Sequence, residues 1–246
     1  MYRIENKYFV PSERKEELLN DIMPYLKHDC YSEQRPSKEY TVRSIYLDTP
    51  VLTSYYEKLA GLKVRNKFRI RGYNELTSDV QVFAEIKKKE NEYITKDRAL
   101  LFYSDLNDFL KNKDMTKILN HTVEYEKRLF SASNFFFYQM KDKLNPIINV
   151  VYEREAFECK FGSGLRVTLD MNIRSFLTQT CDDLFEERDM EVLYPSRFVL
   201  EIKYRKALPV WVPVIINKYN LRKEAISKYV LSVDWHMKNR IFVHTI

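Results

Sequence analysis

At 246 residues, 45% hydrophobic and 14% aromatic, the chain can bury a large core, and wholesale disorder is excluded. Its four glycines (Gly61, Gly72, Gly162, Gly164) open neither a G-x-G-x-x-G nor a G-x-x-x-x-G-K-[ST] run, which excludes Rossmann and P-loop cradles and leaves any phosphate to side chains. Lys and Arg number 41 against 35 Asp and Glu, a net charge of +6 that says less as a sum than as a distribution.

No Pro/Gly/Ser-rich linker divides the chain, so residues 1–246 read as one domain. Residues 2–10 alternate, with Arg3, Glu5 and Lys7 on one face and Tyr2, Ile4, Tyr8 and Val10 on the other, and predict a strand. Ser12 is placed to cap a helix with Glu13, Glu16 and Glu17 in its first turns and Leu18, Leu19, Ile22 and Met23 as its apolar stripe. Residues 40–48 predict a strand, 52–59 a short helix, and 63–73 and 80–89 two long strands. Residues 104–143 read as two helices, and the run Phe135, Phe136, Phe137 and Tyr138 in the second reads as core or interface. Strands return at 147–159, 165–173 and 197–205, with a hairpin turn at Gly162-Ser163-Gly164, and the chain is helical from 209 onward. Antiparallel-type strands with inserted helices predict an α+β domain built on a barrel. A weak internal repeat supports it. RNKFRIRGY followed by VFAEIKKK is similar to GLRVTLDMN followed by FVLEIKYR, and each half pairs an Arg-bearing strand with one ending Glu-Ile-Lys.

Cys30, Cys159 and Cys181 form no C-x-x-C and read as reduced thiols, and His28, His121, His236 and His244 share no zinc spacing. With no signal peptide, and with its longest apolar run (208–216) broken by Pro209 and Pro213, the chain is expected to be soluble and cytoplasmic, without membrane insertion.

The charge pattern is the functional signal. Positions 63, 65, 67, 69 and 71 are Lys, Arg, Lys, Arg and Arg, all on one face of a strand whose other face carries Val64, Phe68 and Ile70. Phe83, Glu85, Lys87 and Lys89 align on the next strand. Tyr152, Arg154 and Glu158, then Arg166, Thr168 and Asp170, then Glu201, Lys203 and Arg205 align on later ones. For any single strand a solvated charged face is the simpler reading. Across the set, like charges on neighbouring strands repel, and the opposite apolar faces need cover, which the inserted helices can supply. The set predicts a barrel with helices outside and a basic tunnel inside, suited to a linear polyanion. Nucleic acid is disfavoured, because no aromatic-interleaved pattern accompanies the basic face.

These residues carry a resemblance. Glu5-Asn6-Lys7, Ser44-Ile45-Tyr46-Leu47-Asp48, Tyr55-Tyr56-Glu57-Lys58-Leu59, Arg69-Ile70-Arg71, Glu85-Ile86-Lys87 and Lys96-Asp97-Arg98 stand in order. Tyr152-Glu153-Arg154, Arg166, Leu200-Glu201-Ile202-Lys203 and Ser227-Lys228-Tyr229 complete the series. Together they resemble the VTC-domain, polyphosphate polymerase-like branch of the triphosphate tunnel (CYTH-like) superfamily over most of the chain. The resemblance implies an eight-stranded antiparallel β-barrel tunnel with helices packed outside, a divalent metal, and chemistry on the phosphates of ATP, another triphosphate or polyphosphate. It implies that Arg69, Arg71, Lys87, Arg154 and Arg166 form the catalytic set. Lys7, Lys58, Lys96, Arg98, Tyr152, Lys203, Ser227 and Lys228 would bind substrate. Glu201 would be the chief ligand for Mg²⁺ or Mn²⁺, supported by Glu5 and Glu85. Where tunnel hydrolases carry the first Glu of E-x-E-x-K, this chain has Arg3, which tilts the expectation from hydrolysis to phosphate-to-phosphate transfer. The expected function is a polyphosphate polymerase-like phosphotransferase, with a triphosphate hydrolase or a non-catalytic polyphosphate-binding module as alternatives. Eukaryotic relatives sit in a membrane complex, so recruitment by a membrane protein stays open.

Overall fold

The computed structural model describes residues 4–91, 93–111, 125–205 and 207–243. Arg3 lies outside them, and so do residues 112–124 of the predicted helical region. The strands are β1 (Ile4–Pro11), β2 (Leu26–His28), β3 (Glu39–Asp48), β4 (Val64–Tyr73), β5 (Gln81–Glu90), β6 (Tyr93–Phe102), β7 (Asn145–Cys159), β8 (Arg166–Leu177), β9 (Glu191–Val192) and β10 (Arg197–Tyr204). They form one antiparallel sheet in the order β1-β10-β8-β7-β3-β4-β5-β6, with the short β2 on β7 and β9 on β8. The main path has the eight strands of the expected barrel, but its ladder is not closed: among the described residues no pairing joins β1 to β6. The sheet curls all the same, because Lys87 on β5 reaches Glu5 on β1 at 2.8 Å. Among the described residues no helix is long and apolar enough to cross a membrane.

Period-two alternation sorts each strand onto two faces. The convex face is apolar and covered by helices. Phe68, Ile70, Val82, Ala84, Ile86, Ala99 and Leu101 pack with Phe109, Ala132 and Phe135 from helices Leu106–Leu110 and Tyr125–Lys141. Tyr8, Val10, Val167, Leu169, Leu200 and Ile202 pack with Leu18, Ile22 and Val212 from helices Lys15–Ile22 and Trp211–Lys218. Ser12 caps nothing. Its own amide bonds Ser196 O at 2.8 Å, and Pro11 occupies the cap position of the 3-10 turn Ser12–Arg14 that leads into the helix.

One helix departs from the expected outside position. Lys228–Val243 packs Tyr229, Val230 and Val233 against Val42, Tyr46, Val150, Tyr152 and Val199, which belong to the concave face. Its start is anchored by Asp48, which is fully buried. That carboxylate accepts from the amides of Ser54 (2.9 Å) and Tyr55 (3.0 Å) and from the Tyr229 hydroxyl (2.6 Å). One acidic side chain thus satisfies the first turn of helix Thr53–Leu59 and ties it to the C-terminal helix.

Candidate functional site

The unfilled part of the concave face is a cavity of about 580 Å³. β4 contributes Arg65, Lys67, Arg69 and Arg71, the stripe predicted from alternation. Lys87 and Lys89 on β5 and Lys96 on β6 continue the same wall, while Glu5 and Lys7 on β1 and Glu201 and Lys203 on β10 form the facing one. Tyr152 and Arg154 close the inner end, and Lys58 and Lys228 enter from the two helices tied by Asp48, with Ser227 just before the second. In all, thirteen Lys and Arg line the cavity against three Glu. Like charges sit directly opposite across strands, Lys67 on Lys87, Arg65 on Lys89 and Lys87 on Lys96, an arrangement that destabilises a sheet unless an anion lies against it.

Three carboxylates on this face are held by cations. Glu201 lies 3.0 Å from Lys203, 3.4 Å from Lys7 and 3.6 Å from Arg154. Burial alone would raise its pKa, but Lys203, Lys7, Lys228 and Arg154 hold it well below the usual carboxylate range. Glu5 is lowered likewise, burial being outweighed chiefly by Lys87. Asp170, fully buried on β8, takes Arg154 Nε at 2.6 Å and Arg154 Nη2 at 2.8 Å, with Lys228 Nζ at 2.5 Å, and is also held low against its burial. Arg71 donates to Ser44 Oγ at 3.2 Å and to the Tyr152 hydroxyl at 3.4 Å, which aims its guanidinium along the inner wall. Burial and neighbouring cations push the Lys67 ammonium well below its ordinary value, and it bonds the Ser227 hydroxyl. Lys203 is pushed down to about 8 by burial and by Arg154 and Lys87, in spite of Glu201.

Of the expected site residues, Arg69, Arg71, Lys87 and Arg154 converge on this cavity, with Lys7, Lys58, Lys96, Tyr152, Lys203, Ser227, Lys228, Glu201 and Glu5. Three do not line it. Arg166 shares the Lys203 face but turns its guanidinium to Asp29 at 2.6 Å and the Tyr40 hydroxyl at 3.4 Å. Arg98 pairs with Glu85 at 2.5 Å and lies over the Phe83 ring. Glu85, expected as a metal ligand, is fully buried behind the cavity wall: Oε2 accepts from Arg69 Nε at 2.6 Å, and Oε1 lies beside the Arg98 guanidinium without a hydrogen bond. The two halves of the internal repeat pair differently. Arg69 stands opposite Glu85, but the residue opposite Glu201 is Thr168, and Arg166 stands opposite Lys203. Sequence reasoning placed Asp170 on the right face and gave it no role, because its partners Arg154 and Lys228 come from a neighbouring strand and from the C-terminal helix.

Comparison with known proteins bears on the fold and the family. The chain is similar in fold to a putative adenylate cyclase from Bacillus halodurans (TM-score 0.50, 12% identity, covering 92% of this chain and 96% of that one). It is also similar to a putative adenylyl cyclase from Hippeastrum with a dominant triphosphatase activity (TM-score 0.45, 15% identity, 94% of each chain). A protein from Pyrococcus horikoshii matches with a TM-score of 0.46 and 14% identity over 94% of this chain and 97% of that one. At these identities the likeness concerns fold alone. The VTC domain matches residues 2–236, nearly the whole chain, and the protein belongs to the VTC-domain family.

Proposed function

We propose that the cavity holds a linear polyphosphate and that the chain is a metal-dependent phosphotransferase, moving the γ-phosphoryl group of ATP onto a polyphosphate end. The observation that carries this is the wall itself, thirteen cationic side chains against three Glu in about 580 Å³. Arg69, Arg71 and Arg154 would grip phosphate oxygens through planar forks, with Lys7, Lys87 and Lys228 as point charges. Phosphoryl transfer asks a protein mainly for alignment and charge neutralisation, and a preorganised basic wall supplies both.

Among the described residues no three acidic, His or Cys side chains cluster to cage a metal. Mg²⁺ needs no such cage, since one or two carboxylates plus substrate phosphates commonly hold it. Glu201 and Glu5, both on the cavity wall, provide that donor set, whereas Glu85 does not. Glu201 and Glu5 would hold a Mg²⁺ or Mn²⁺ ion there, which would supply positive charge against that of the phosphates.

Transfer to a phosphate end is favoured over hydrolysis because Glu5 and Glu201 are ion-paired and held low, which makes them poor bases for water. A triphosphate hydrolase is the second reading, and it rests on Glu224, an exposed carboxylate at the cavity edge. Incubation with ATP and Mn²⁺ separates the readings. Long-chain polyphosphate supports transfer. Orthophosphate alone, lost in Glu224→Gln, supports hydrolysis, and binding without turnover indicates a polyphosphate-binding module.

A further inference from the structure

On the side of the molecule covered by helix Tyr125–Lys141, the helix has two apolar faces. Ala132 and Phe135 are fully buried against the sheet, and Leu129 and Tyr138 pack beside them. The opposite face carries Glu126, Phe130, Ser133, Phe137 and Met140, spaced four, three, four and three residues apart, the rhythm of a coiled-coil seam. Phe130 is 64%, Phe137 57% and Met140 61% exposed, on a helix already anchored by its other side. Lone exposed apolar residues need no explanation, but a contiguous stripe of large ones marks a contact surface.

The stripe contains a hole as well as knobs. Ser133, Phe136, Phe137 and Met140 line a shallow hollow, with Lys141 at its rim. The first four are residues i, i+3, i+4 and i+7, the four that form the hole for a knob from a facing helix. One antiparallel register matches everything on this face. With Phe130 of a second copy opposite Phe137, Phe130 of that copy drops into the hollow and the two small Ser133 residues meet near the two-fold axis. The same register sets Glu126 of each copy against Lys141 of the other. A parallel pair would set Glu126 on Glu126 and Lys141 on Lys141. Charge and shape therefore select the same arrangement, and a self-complementary patch related by a two-fold axis is the usual basis of a homodimer.

We propose that this chain forms a two-fold homodimer through antiparallel pairing of helix Tyr125–Lys141, with Phe130 of each copy seated in the hollow beside Phe137 of the other. The seam lies on the convex side, so the claim is independent of the reading of the cavity. One helix pair is a small interface, of the size class of transient association. Sedimentation velocity on the full chain, from micromolar to hundred-micromolar concentration, should show a concentration-dependent monomer–dimer equilibrium. Phe137→Glu should raise the dissociation constant by at least roughly tenfold, with an unchanged melting temperature at concentrations where both proteins are monomeric, because the side chain is largely exposed in the monomer. Lys141→Glu should weaken association, and adding Glu126→Lys to it should restore it, a rescue that tests the register because only the charge pairing is put back. A chain that stays monomeric throughout, or a dimer indifferent to Phe137→Glu, would overturn the proposal. A dimer weakened by Phe137→Glu but not rescued by the charge swap would overturn the antiparallel register.

Discussion

Glu201 neighbours three cations, Lys7, Lys203 and Arg154, on a wall where nearly everything else is basic. Glu201→Gln keeps the size of the side chain and removes the charge that would hold a divalent ion. Turnover should fall by roughly 10²-fold or more, the scale of losing one preorganised charge in a water-poor site. The melting-temperature rise on adding Mn²⁺ with triphosphate should shrink in parallel. A folded Glu201→Gln protein with wild-type metal-dependent turnover would refute the assignment. Lys203 adds a pH dependence of definite sign. In the ligand-free fold its pKa is pushed down to about 8, whereas an ordinary lysine titrates near 10.4. Between those values the unfolded chain keeps the proton and the ligand-free fold releases it, so Lys203 makes the empty protein more stable as pH rises through that window. Triphosphate needs the charged ammonium, so its affinity should weaken over the same window. Calorimetric titration near neutral pH and above pH ~9 should show the loss, and Lys203→Met should flatten it. An equal pH dependence in both proteins would remove Lys203 from the site.

At the scale of elements, β4 was legible because period two and charge coincide: Arg65, Lys67, Arg69 and Arg71 alternate with Val64, Phe68 and Ile70. β6 was not read as a strand. Its cavity-side Lys96 alternates with Thr95 and Asp97, which are also polar, so no apolar face announces that half of it. The C-terminal helix was legible as a helix, but its seat on the concave face depends on Asp48 meeting Tyr229, a contact 181 residues apart that no local pattern encodes. The pairing of β8 is not legible from the repeat, because two halves that look alike pair differently, Arg69 on Glu85 but Arg166 on Lys203. That difference is testable. Arg71→Ala should weaken triphosphate binding roughly 10- to 100-fold, the value of a charge-assisted hydrogen bond, whereas Arg166→Ala should change it by less than about threefold. Equal losses would mean that Arg166 leaves Asp29 and reaches the ligand.

Among the described residues the sheet is curled and unclosed, with a packed convex side and a concave side filled at one end by the C-terminal helix and left basic at the other. Thirteen cations around one cavity repel one another when it is empty, and salt bridges to Glu5, Glu201 and Asp170 offset only part of that repulsion. Sodium chloride should therefore raise the melting temperature of the ligand-free protein by screening, and should weaken ligand binding at the same time. A polyanion that binds only the folded chain adds ~2.7 kcal/mol of stability at 100 times its dissociation constant. The most direct test is a thermal melt with and without inorganic triphosphate, at low and high salt, with Mn²⁺ present. The cavity reading predicts a large rise in melting temperature with triphosphate at low salt that shrinks at high salt and is reduced in Arg71→Ala. No triphosphate-dependent rise at low salt would contradict a polyphosphate site in this cavity.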